Sequence, residues 1–297
     1  MNAFRYDYAV IGGDLRQIYL MAELEKENQN VCHYALCQSL KQFPASGRSA
    51  ALTTLEAACS SSACILCPIP LSKDNLSLNQ SGIKKNIPLK QLLMILKPSQ
   101  RLFAGCIPKD FCQAALEKNI LVFDFMKDMS LSCFNSIATA EGVICEAIKA
   151  SPRNLRQSRC AVLGYGKCGR TITDLLKRMY CSVTVGASYT EELALAALTA
   201  DEAEKLPALL RHIETYDFIF NTIPAVILTR EALLNANPQT VILDIASSPG
   251  GVDFAAAEEL SVHAMSCPGL PGRYAPLSSA QAIVKSIKNF ERSSPCL

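Results

Sequence analysis

The sequence predicts an α/β fold with two doubly wound parallel sheets, and three observations lead to this prediction. The chain has 297 residues, which exceeds the usual size of a single domain. Short apolar segments alternate with helical patterns, as expected for parallel sheets that carry helices on both faces. An apolar strand followed directly by a glycine-containing turn and a helical pattern occurs twice, from Tyr8 and from Ala161.

The first domain is predicted to span residues 1–134 and to contain the substrate and catalytic groups. It opens with a strand at 8–11, the turn Gly12-Gly13-Asp14 and a helix. We expect a flavodoxin-like domain with further strands at 31–35, 63–68, 101–104 and 120–123, and helices at 88–96 and 111–118.

A helix over 136–150 is predicted to join the domains, within an inter-domain segment of 135–152 that Pro152 ends. The second domain is expected at 153–278, with strands at 161–163, 181–185, 218–220, 241–245 and 261–264. A last helix, at 279–290 within the segment 279–297, is expected to fold back toward the first domain.

Composition argues against several classes of protein. The net charge is +2 without long basic runs, and Trp is absent, which disfavours nucleic-acid binding. No apolar run approaches a membrane span or a leader, so we expect a cytoplasmic protein.

Cys64 and Cys67 form a CxxC, but strand residues three apart point to opposite faces. We therefore expect no metal site and attribute the 14 cysteines to a reducing cytosol.

The run Gly164-Tyr165-Gly166-Lys167-Cys168-Gly169 lies between a strand and a helix, in the context typical of a Rossmann dinucleotide-binding turn. In such a turn Gly164 permits the tight bend, Gly166 lets a pyrophosphate approach the backbone, and Gly169 allows close packing of helix and strand. The pyrophosphate then lies on the helix N-terminus. The helix dipole can also lower the pKa of Cys168, and the alternative is that Cys168 is a small residue that fills a tight slot. The predicted cofactor-binding residues are Gly164, Tyr165, Gly166, Lys167, Cys168, Gly169, Arg170, Ser188, Asn221, Thr222, Ile223 and Pro224.

The end of the second Rossmann strand favours NADP, with NAD as the second choice. A carboxylate there would bind the adenosine ribose of NAD, but residues 185–190 contain no acid before Glu191. Lys167 and Arg170 lie near in sequence and suit a 2′-phosphate, although no Arg occupies the turn itself.

Two further strand ends carry polar groups. The run Asn221-Thr222-Ile223-Pro224 follows a strand and is expected near the nicotinamide, since ligands bind beyond the carboxyl ends of parallel strands. Asp244 ends another strand and is expected to be structural. The three His, at 33, 212 and 263, form no obvious His–carboxylate pair, so the substrate need not be an alcohol.

The first turn lacks the third glycine, so a second dinucleotide is not expected. Arg16 in the first helical turn can clamp a carboxylate with two hydrogen bonds, or it can be a surface residue paired with Asp14. The residues alone leave these alternatives open.

Several motifs together resemble the dipicolinate synthase A-subunit family. They are GGDLRQ at 12–17, NSIATAEG at 135–142, NTIP at 221–224, SPGGVDF at 248–254 and PGLPG at 268–272. The chain departs from the family pattern at Ala138, where Pro is usual, and at Leu277-Ser278-Ser279-Ala280, where Lys-Thr-Ala-Gly is common.

This resemblance implies an oxidoreductase that aromatises dihydrodipicolinate to pyridine-2,6-dicarboxylate during sporulation, in the mother cell of a spore-forming bacterium. It implies a fold similar to the 2-hydroxyacid and alanine dehydrogenases and a flavoprotein-like B-subunit as partner, while self-association stays open. The groups expected to act are Asp14, Arg16 and Glu141 as catalytic residues, and Gly13, Gln17, Ser136, Thr139, Gly269 and Pro271 as substrate-binding residues. Two alternatives remain: an NAD(P)-dependent 2-hydroxyacid or amino-acid dehydrogenase, and a non-catalytic NADP-sensing module.

Overall fold

The computed structural model describes residues 4–37 and 48–293. The chain forms two compact units, one of Met1–Phe134 with Ala275–Leu297 and the other of Asn135–Tyr274. We refer to them as unit 1 and unit 2. None of the helices in the described ranges is both long and apolar enough to span a membrane.

Unit 1 contains a six-stranded parallel sheet in the order β3-β2-β1-β4-β5-β6. Its five longer strands have the flavodoxin order, and the short strand β3 extends the edge to the 3-2-1-4-5-6 Rossmann order. The strands are β1 (Tyr6–Ile11), β2 (Val31–Tyr34), β3 (Ala50–Ala51), β4 (Ser62–Leu66), β5 (Arg101–Ala104) and β6 (Leu121–Asp124). The helices are α1 (Leu15–Lys26), α2 (Leu55–Ser60), α3 (Leu89–Ile95), α4 (Lys109–Glu117) and α12 (Pro276–Ser293).

The two faces of this sheet carry separate cores, because successive strand residues point to opposite sides. Ala9 and Cys67 lie in the core that α2, α3 and α4 cover. Val10 and Cys64 lie in the opposite core, which α1 and α12 cover. The CxxC thus divides between the two faces, as its spacing in a strand predicted.

Helix α5 (Met129–Ala150) contains the boundary between the units. It begins seven residues, about two turns, before the predicted helix, because the Asp128 carboxylate accepts a hydrogen bond from the Leu131 backbone N–H and caps the added segment. The exposed Met129 and Phe134 in this segment break the apolar period that predicted the helix.

Unit 2 contains a second six-stranded parallel sheet, in the order β12-β11-β10-β7-β8-β9. This is the same Rossmann order, and the prediction of two doubly wound parallel sheets is confirmed. The strands are β7 (Arg159–Leu163), β8 (Ser182–Ala187), β9 (Glu202–Lys205), β10 (Phe218–Asn221), β11 (Val241–Asp244) and β12 (His263–Ser266). The helices are α6 (Lys167–Arg178), α7 (Thr190–Ala196), α8 (Leu206–Leu209), α9 (Arg230–Leu233), α10 (Phe254–Glu259) and α11 (Leu270–Tyr274).

Candidate cofactor and substrate sites

Three glycines shape the turn between β7 and α6, and two of them are required by the packing of the protein itself. Gly164 has φ +90°, and a Cβ on it would lie 2.5 Å from the Thr222 hydroxyl oxygen. A Cβ on Gly169 would lie 2.1 Å from the Gly164 carbonyl oxygen. The positive φ of Gly164 agrees with the tight bend predicted there, and the distance at Gly169 agrees with its predicted packing role.

Gly166 is different, because no contact inside the protein explains it. A Cβ at this position would meet no described atom within 4 Å, and the residue has an ordinary φ of −72°. Gly166 is the N-cap of α6 and provides no side chain to cap that helix. The uncapped N–H groups and the helix dipole therefore face open space, which is the arrangement that binds an anion such as a pyrophosphate.

The neighbouring side chains leave this space free. Arg170 folds back, with Nε donating to the Tyr165 carbonyl at 3.0 Å and its guanidinium 5.5 Å from the Tyr165 ring centre. Lys167 is exposed beside the turn. The expectation for the Cys168 thiol is wrong: burial raises its pKa, and the nearby Lys167 charge opposes this only in part.

The loop after β10 lies against the glycine turn. The Thr222 hydroxyl and backbone N–H both donate to the Leu163 carbonyl at 2.9 Å. A Cβ on Gly164 would also meet Ile223 Cγ1 at 2.9 Å, while Pro224 is exposed. These contacts fix the loop at the carboxyl end of β7.

Asn221 is fully buried and holds that loop from the inside. Its Nδ2 donates to Asp244 Oδ1 at 2.8 Å and to the Ile223 carbonyl at 3.1 Å, and its Oδ1 accepts from the Ile223 N–H at 3.1 Å. The Asp244 carboxylate also accepts from the Gly251 N–H at 2.8 Å, in agreement with its expected structural role. Asn221 can therefore influence a cofactor only through the loop that it positions.

A lysine that the sequence analysis did not select lies at the end of β8. Lys205 pairs with Ala187 in the register of β8 and β9, and its Nζ donates to the Ser188 carbonyl at 3.0 Å. The hydroxyl oxygen of Thr190 is 3.5 Å from the same Nζ. Lys205 is 41 positions after Gly164 (205 − 164), and only the β8–β9 pairing brings it to this strand end.

Within the described part of the chain, His212 and Glu204 form a His–carboxylate pair that the sequence analysis missed. His212 Nε2 lies 2.8 Å from Glu204 Oε1. Glu204 is on the edge strand β9, three strands from β10 in the sheet, so the pair is roughly 14 Å across the sheet from the start of the 221–224 loop. The pair is therefore not placed to transfer a proton near that loop.

In unit 1 the turn after β1 builds an ion pair. The Asp14 carboxylate accepts from the Arg16 backbone N–H at 3.0 Å, and so caps α1. The same carboxylate receives Nε and Nη2 of the Arg16 side chain at 2.9 and 2.7 Å, and Nη2 also donates to the Ile69 carbonyl. The pairing with Asp14 occurs, but Arg16 is only 6% exposed rather than a surface residue. None of these hydrogen bonds uses Nη1.

Gly13 and Gln17 complete the turn from inside. Gly13 has φ +80°, and a Cβ on it would lie 2.5 Å from Gln17 Cγ. The buried Gln17 Nε2 donates to the carbonyls of Ile11 and Leu66, at 3.3 and 3.1 Å, and ties together the ends of β1 and β4. Both residues therefore set the shape of the turn, and their role in substrate binding stays a prediction.

Two groups at the carboxyl ends of β5 and β6, Cys106 and Asp124, were also missed. The Asp124 carboxylate accepts the backbone N–H groups of Cys106 and Ile107, each at 3.1 Å. Burial raises the pKa of the Cys106 thiol, Asp124 raises it further, and the charge of Arg16 opposes both. The available signal was the carboxylate of Asp124, which directly follows the strand predicted at 120–123.

The remaining predicted substrate residues all belong to unit 2. The Ser136 hydroxyl lies 2.8 Å from that of Thr171 on α6, and Thr139 donates to the Asn135 carbonyl at 2.9 Å. Glu141 is exposed on α5. Gly269, with φ +66°, and Pro271 lie at the start of α11. Unit 1 supplies Gly13, Asp14, Arg16 and Gln17, and the roles of both groups in substrate binding stay predictions.

Comparison with known proteins identifies relatives along the whole chain. The family model for the N-terminal domain of the dipicolinate synthase A-subunit matches residues 7–126. The dipicolinate synthase A-subunit of Bacillus subtilis (strain 168) is 30% identical over 284 residues, covering 95% of this chain and 94% of the relative. The crystal structure of the dipicolinate synthase A-subunit from Bacillus halodurans matches with a TM-score of 0.83 at 24% identity, over 96% of this chain and 97% of that one.

The fold also resembles a dehydrogenase. The apo-structure of D-lactate dehydrogenase from Escherichia coli matches with a TM-score of 0.61 at 14% identity, over 98% of each chain. The expected similarity to the 2-hydroxyacid dehydrogenase fold is confirmed.

Proposed function

The chain belongs to the dipicolinate synthase A-subunit family, and from this premise we propose that it oxidises dihydrodipicolinate to pyridine-2,6-dicarboxylate with a nicotinamide cofactor, NADP in preference to NAD. The observation that carries the proposal is the open space over Gly166 at the uncapped N-terminus of α6. Two of the three glycines are explained by packing, and the third is explained by the approach of a pyrophosphate.

Unit 2 supplies the groups that would hold the cofactor. The first N–H groups of α6 would bind the pyrophosphate, and the segment 222–224, which Asn221 and Asp244 hold in place, would border the nicotinamide. The absence of an acid between residues 185 and 190 supports NADP over NAD. The bound cofactor supplies the hydride acceptor.

Unit 1 supplies the group best suited to a dicarboxylate substrate. Arg16 is buried and fixed by Asp14, and its Nη1 can donate to one ring carboxylate without a large loss of side-chain freedom. Oxidation removes a hydride and a proton from the ring, and aromatisation favours the product. We assign the proton to a carboxylate, Asp14 or Glu141.

The family name implies a partner, and we propose a flavoprotein-like B-subunit. We also propose that the protein acts in the cytoplasm of the mother cell of a spore-forming bacterium. Copurification with the B-subunit from sporulating cells tests the first proposal, and recovery of this chain without its B-subunit would contradict it.

The decisive experiment is Arg16→Ala, assayed with dihydrodipicolinate and NADP in the presence of the B-subunit. One ring carboxylate would lose a charged hydrogen bond worth roughly 1.5–3 kcal/mol, so kcat/KM should fall about 10- to 150-fold. Cofactor affinity should stay within about twofold, because Arg16 belongs to unit 1.

Arg101→Ala is the matched control. Arg101 also forms an ion pair in unit 1, with Glu291 at 3.1 Å, but it starts β5 and so lies at the amino end of the sheet. It should retain normal turnover. Normal turnover of Arg16→Ala would show that the dicarboxylate is held elsewhere, and wild-type protein without turnover on either cofactor would contradict the proposed oxidation itself.

A further inference from the structure

We propose that Lys205 determines the preference for NADP by pairing with the 2′-phosphate, and that Thr190 adds a hydrogen bond. This inference rests on the proposed function and names the residue that would select its cofactor. In a Rossmann domain the end of the second strand lies beside the adenosine ribose, where an acidic residue binds the 2′-hydroxyl of NAD and a cation accommodates the 2′-phosphate of NADP. That strand is β8 here, and Lys205 is the cation that the fold places at its end.

The geometry brings a charged donor and a hydroxyl to the same point. Lys205 Nζ is 3.0 Å from the carbonyl oxygen of Ser188, the first residue after β8, and 3.5 Å from the Thr190 hydroxyl oxygen. Ser188 and Thr190 both belong to the segment 185–190, which contains no acidic residue. An ammonium group has three donors, so a phosphate can be added to the carbonyl contact.

The charge of Lys205 is not neutralised by the neighbouring acids. Glu204 pairs with His212 at 2.8 Å, and Asp201 pairs with Lys177 at 2.6 Å. Lys205 itself takes part in none of the ion pairs found within residues 4–37 and 48–293. Its two bonded groups are neutral oxygens, so its full charge is available to an anion.

The alternation of β9 explains why the acids do not interfere. Residues two apart on a strand share a face, so Ala203 and Lys205 lie on one side, and Glu202 and Glu204 on the other. Ala203 packs on the core that includes Ile172 and Leu176 of α6, the helix of the glycine turn. The Glu204 side instead carries the His212 contact. The lysine is therefore on the side of the sheet where α6 packs.

The test is the affinity of Lys205→Ala for NADP and for NAD, measured by calorimetric titration with the intact chain. Loss of one charged hydrogen bond should weaken NADP binding about 10- to 100-fold and leave NAD binding within about twofold. Lys205→Arg, which keeps the charge, should retain most of the selectivity. Lys177→Ala is the matched control, because Lys177 is in the same unit but already paired with Asp201, and it should bind NADP as the wild type does.

The results distinguish a failure of the role of Lys205 from a failure of the proposed NADP preference. Wild-type protein that prefers NADP, together with Lys205→Ala that keeps this preference, would overturn the inference and leave the proposed function intact. Equal losses for NADP and NAD in Lys205→Ala would also overturn it, because the lysine would then not recognise the 2′-phosphate. Wild-type protein that binds both cofactors alike would contradict the proposed NADP preference and this inference with it.

Discussion

The two turns that follow β1 and β7 occupy the same place in sheets of the same strand order, yet they differ in what fills them. The first glycine after each strand is crowded in both turns, since a Cβ on Gly12 would lie 3.0 Å from the Asn79 carbonyl oxygen and one on Gly164 2.5 Å from the Thr222 hydroxyl oxygen, so the difference lies at the helix N-cap. The Asp14 side chain then caps α1. After β7 the space over Gly166 is open, and α6 has no side-chain cap.

The difference shows that topology fixes the position of a site, while the capping residue decides its charge preference. A carboxylate at the first turn satisfies the helix N-terminus and adds a negative charge, which then binds the Arg16 guanidinium. A glycine at the equivalent place leaves the N–H groups and the positive end of the dipole to an external anion. One arrangement presents a fixed cation for a carboxylate, and the other presents a helix N-terminus for a pyrophosphate.

The largest effect is expected when the turn after β7 receives a capping carboxylate like the one that Asp14 provides after β1. Gly166→Asp places a capping carboxylate where Gly166 has the extended backbone that an N-cap requires, with φ −72° and ψ −163°. Unfolding free energy should stay the same or rise by about 0.5 kcal/mol. Cofactor affinity should fall more than about a hundredfold, because two like charges about 4 Å apart repel by several kcal/mol at an effective dielectric constant near 20.

Titration with NADP and urea unfolding would measure both effects, with Gly166→Asn as the uncharged cap for control. Asn should weaken binding less than Asp does. Wild-type affinity in Gly166→Asp would show that the cofactor does not use the α6 N-terminus.

A smaller effect is expected when the cap is removed from the first turn. Asp14→Ala deletes the acceptor of the Arg16 N–H and leaves the buried guanidinium with fewer partners, so unfolding free energy should fall by about 1–3 kcal/mol. Asp14→Asn keeps a capping oxygen and should lose about 1 kcal/mol less. Urea unfolding of both variants gives the comparison, and equal losses would mean that the cap contributes nothing to α1.

The smallest effect concerns the loop that closes the first turn. Hydrogen bonds from the Ser77 and Leu76 N–H groups and the Ser72 hydroxyl lower the pKa of Asp74 from 3.8 to about 2. A lowered folded-state pKa stabilises the fold above the unfolded value, and this stabilisation is lost as pH falls from about 4 toward 2.

The melting temperature of the wild type should therefore fall more steeply over this pH range than that of Asp74→Asn, which cannot titrate at this position. Parallel pH curves for the two proteins would show that the Asp74 carboxylate does not stabilise the loop.

The long buried strands could be predicted from the sequence because they are continuous apolar runs that end in turn residues. Two of the four edge strands, β3 and β9, could not. Strand β3 has two residues, and β9 reads Glu-Ala-Glu-Lys, so neither presents an apolar run. Both become strands only because a neighbouring strand offers its hydrogen-bonding edge, which is a tertiary effect.

The residues of the candidate sites show the same contrast between local sequence patterns and tertiary contacts. Gly166 could be selected from local spacing, because the turn and its helix are contiguous in sequence. The inward amides of Gln17 and Asn221 could not be recognised as structural, since their partners at Leu66 and Asp244 belong to other strands. Lys205 was missed for the same reason, and its position depends on the register of a strand that the pattern did not reveal.

Helix α12 has a consequence for the order in which the protein can be completed during synthesis. Its buried Ile283 and Ile287 share a core with Ile18 and Leu24 of α1, although all of unit 2 is translated between these helices. Unit 2 is one continuous segment and can acquire its whole core as soon as Tyr274 has left the ribosome. Unit 1 begins first and receives α12 last, so the part of α1 that α12 covers remains without this partner, and accessible to chaperones, while the second sheet is being made.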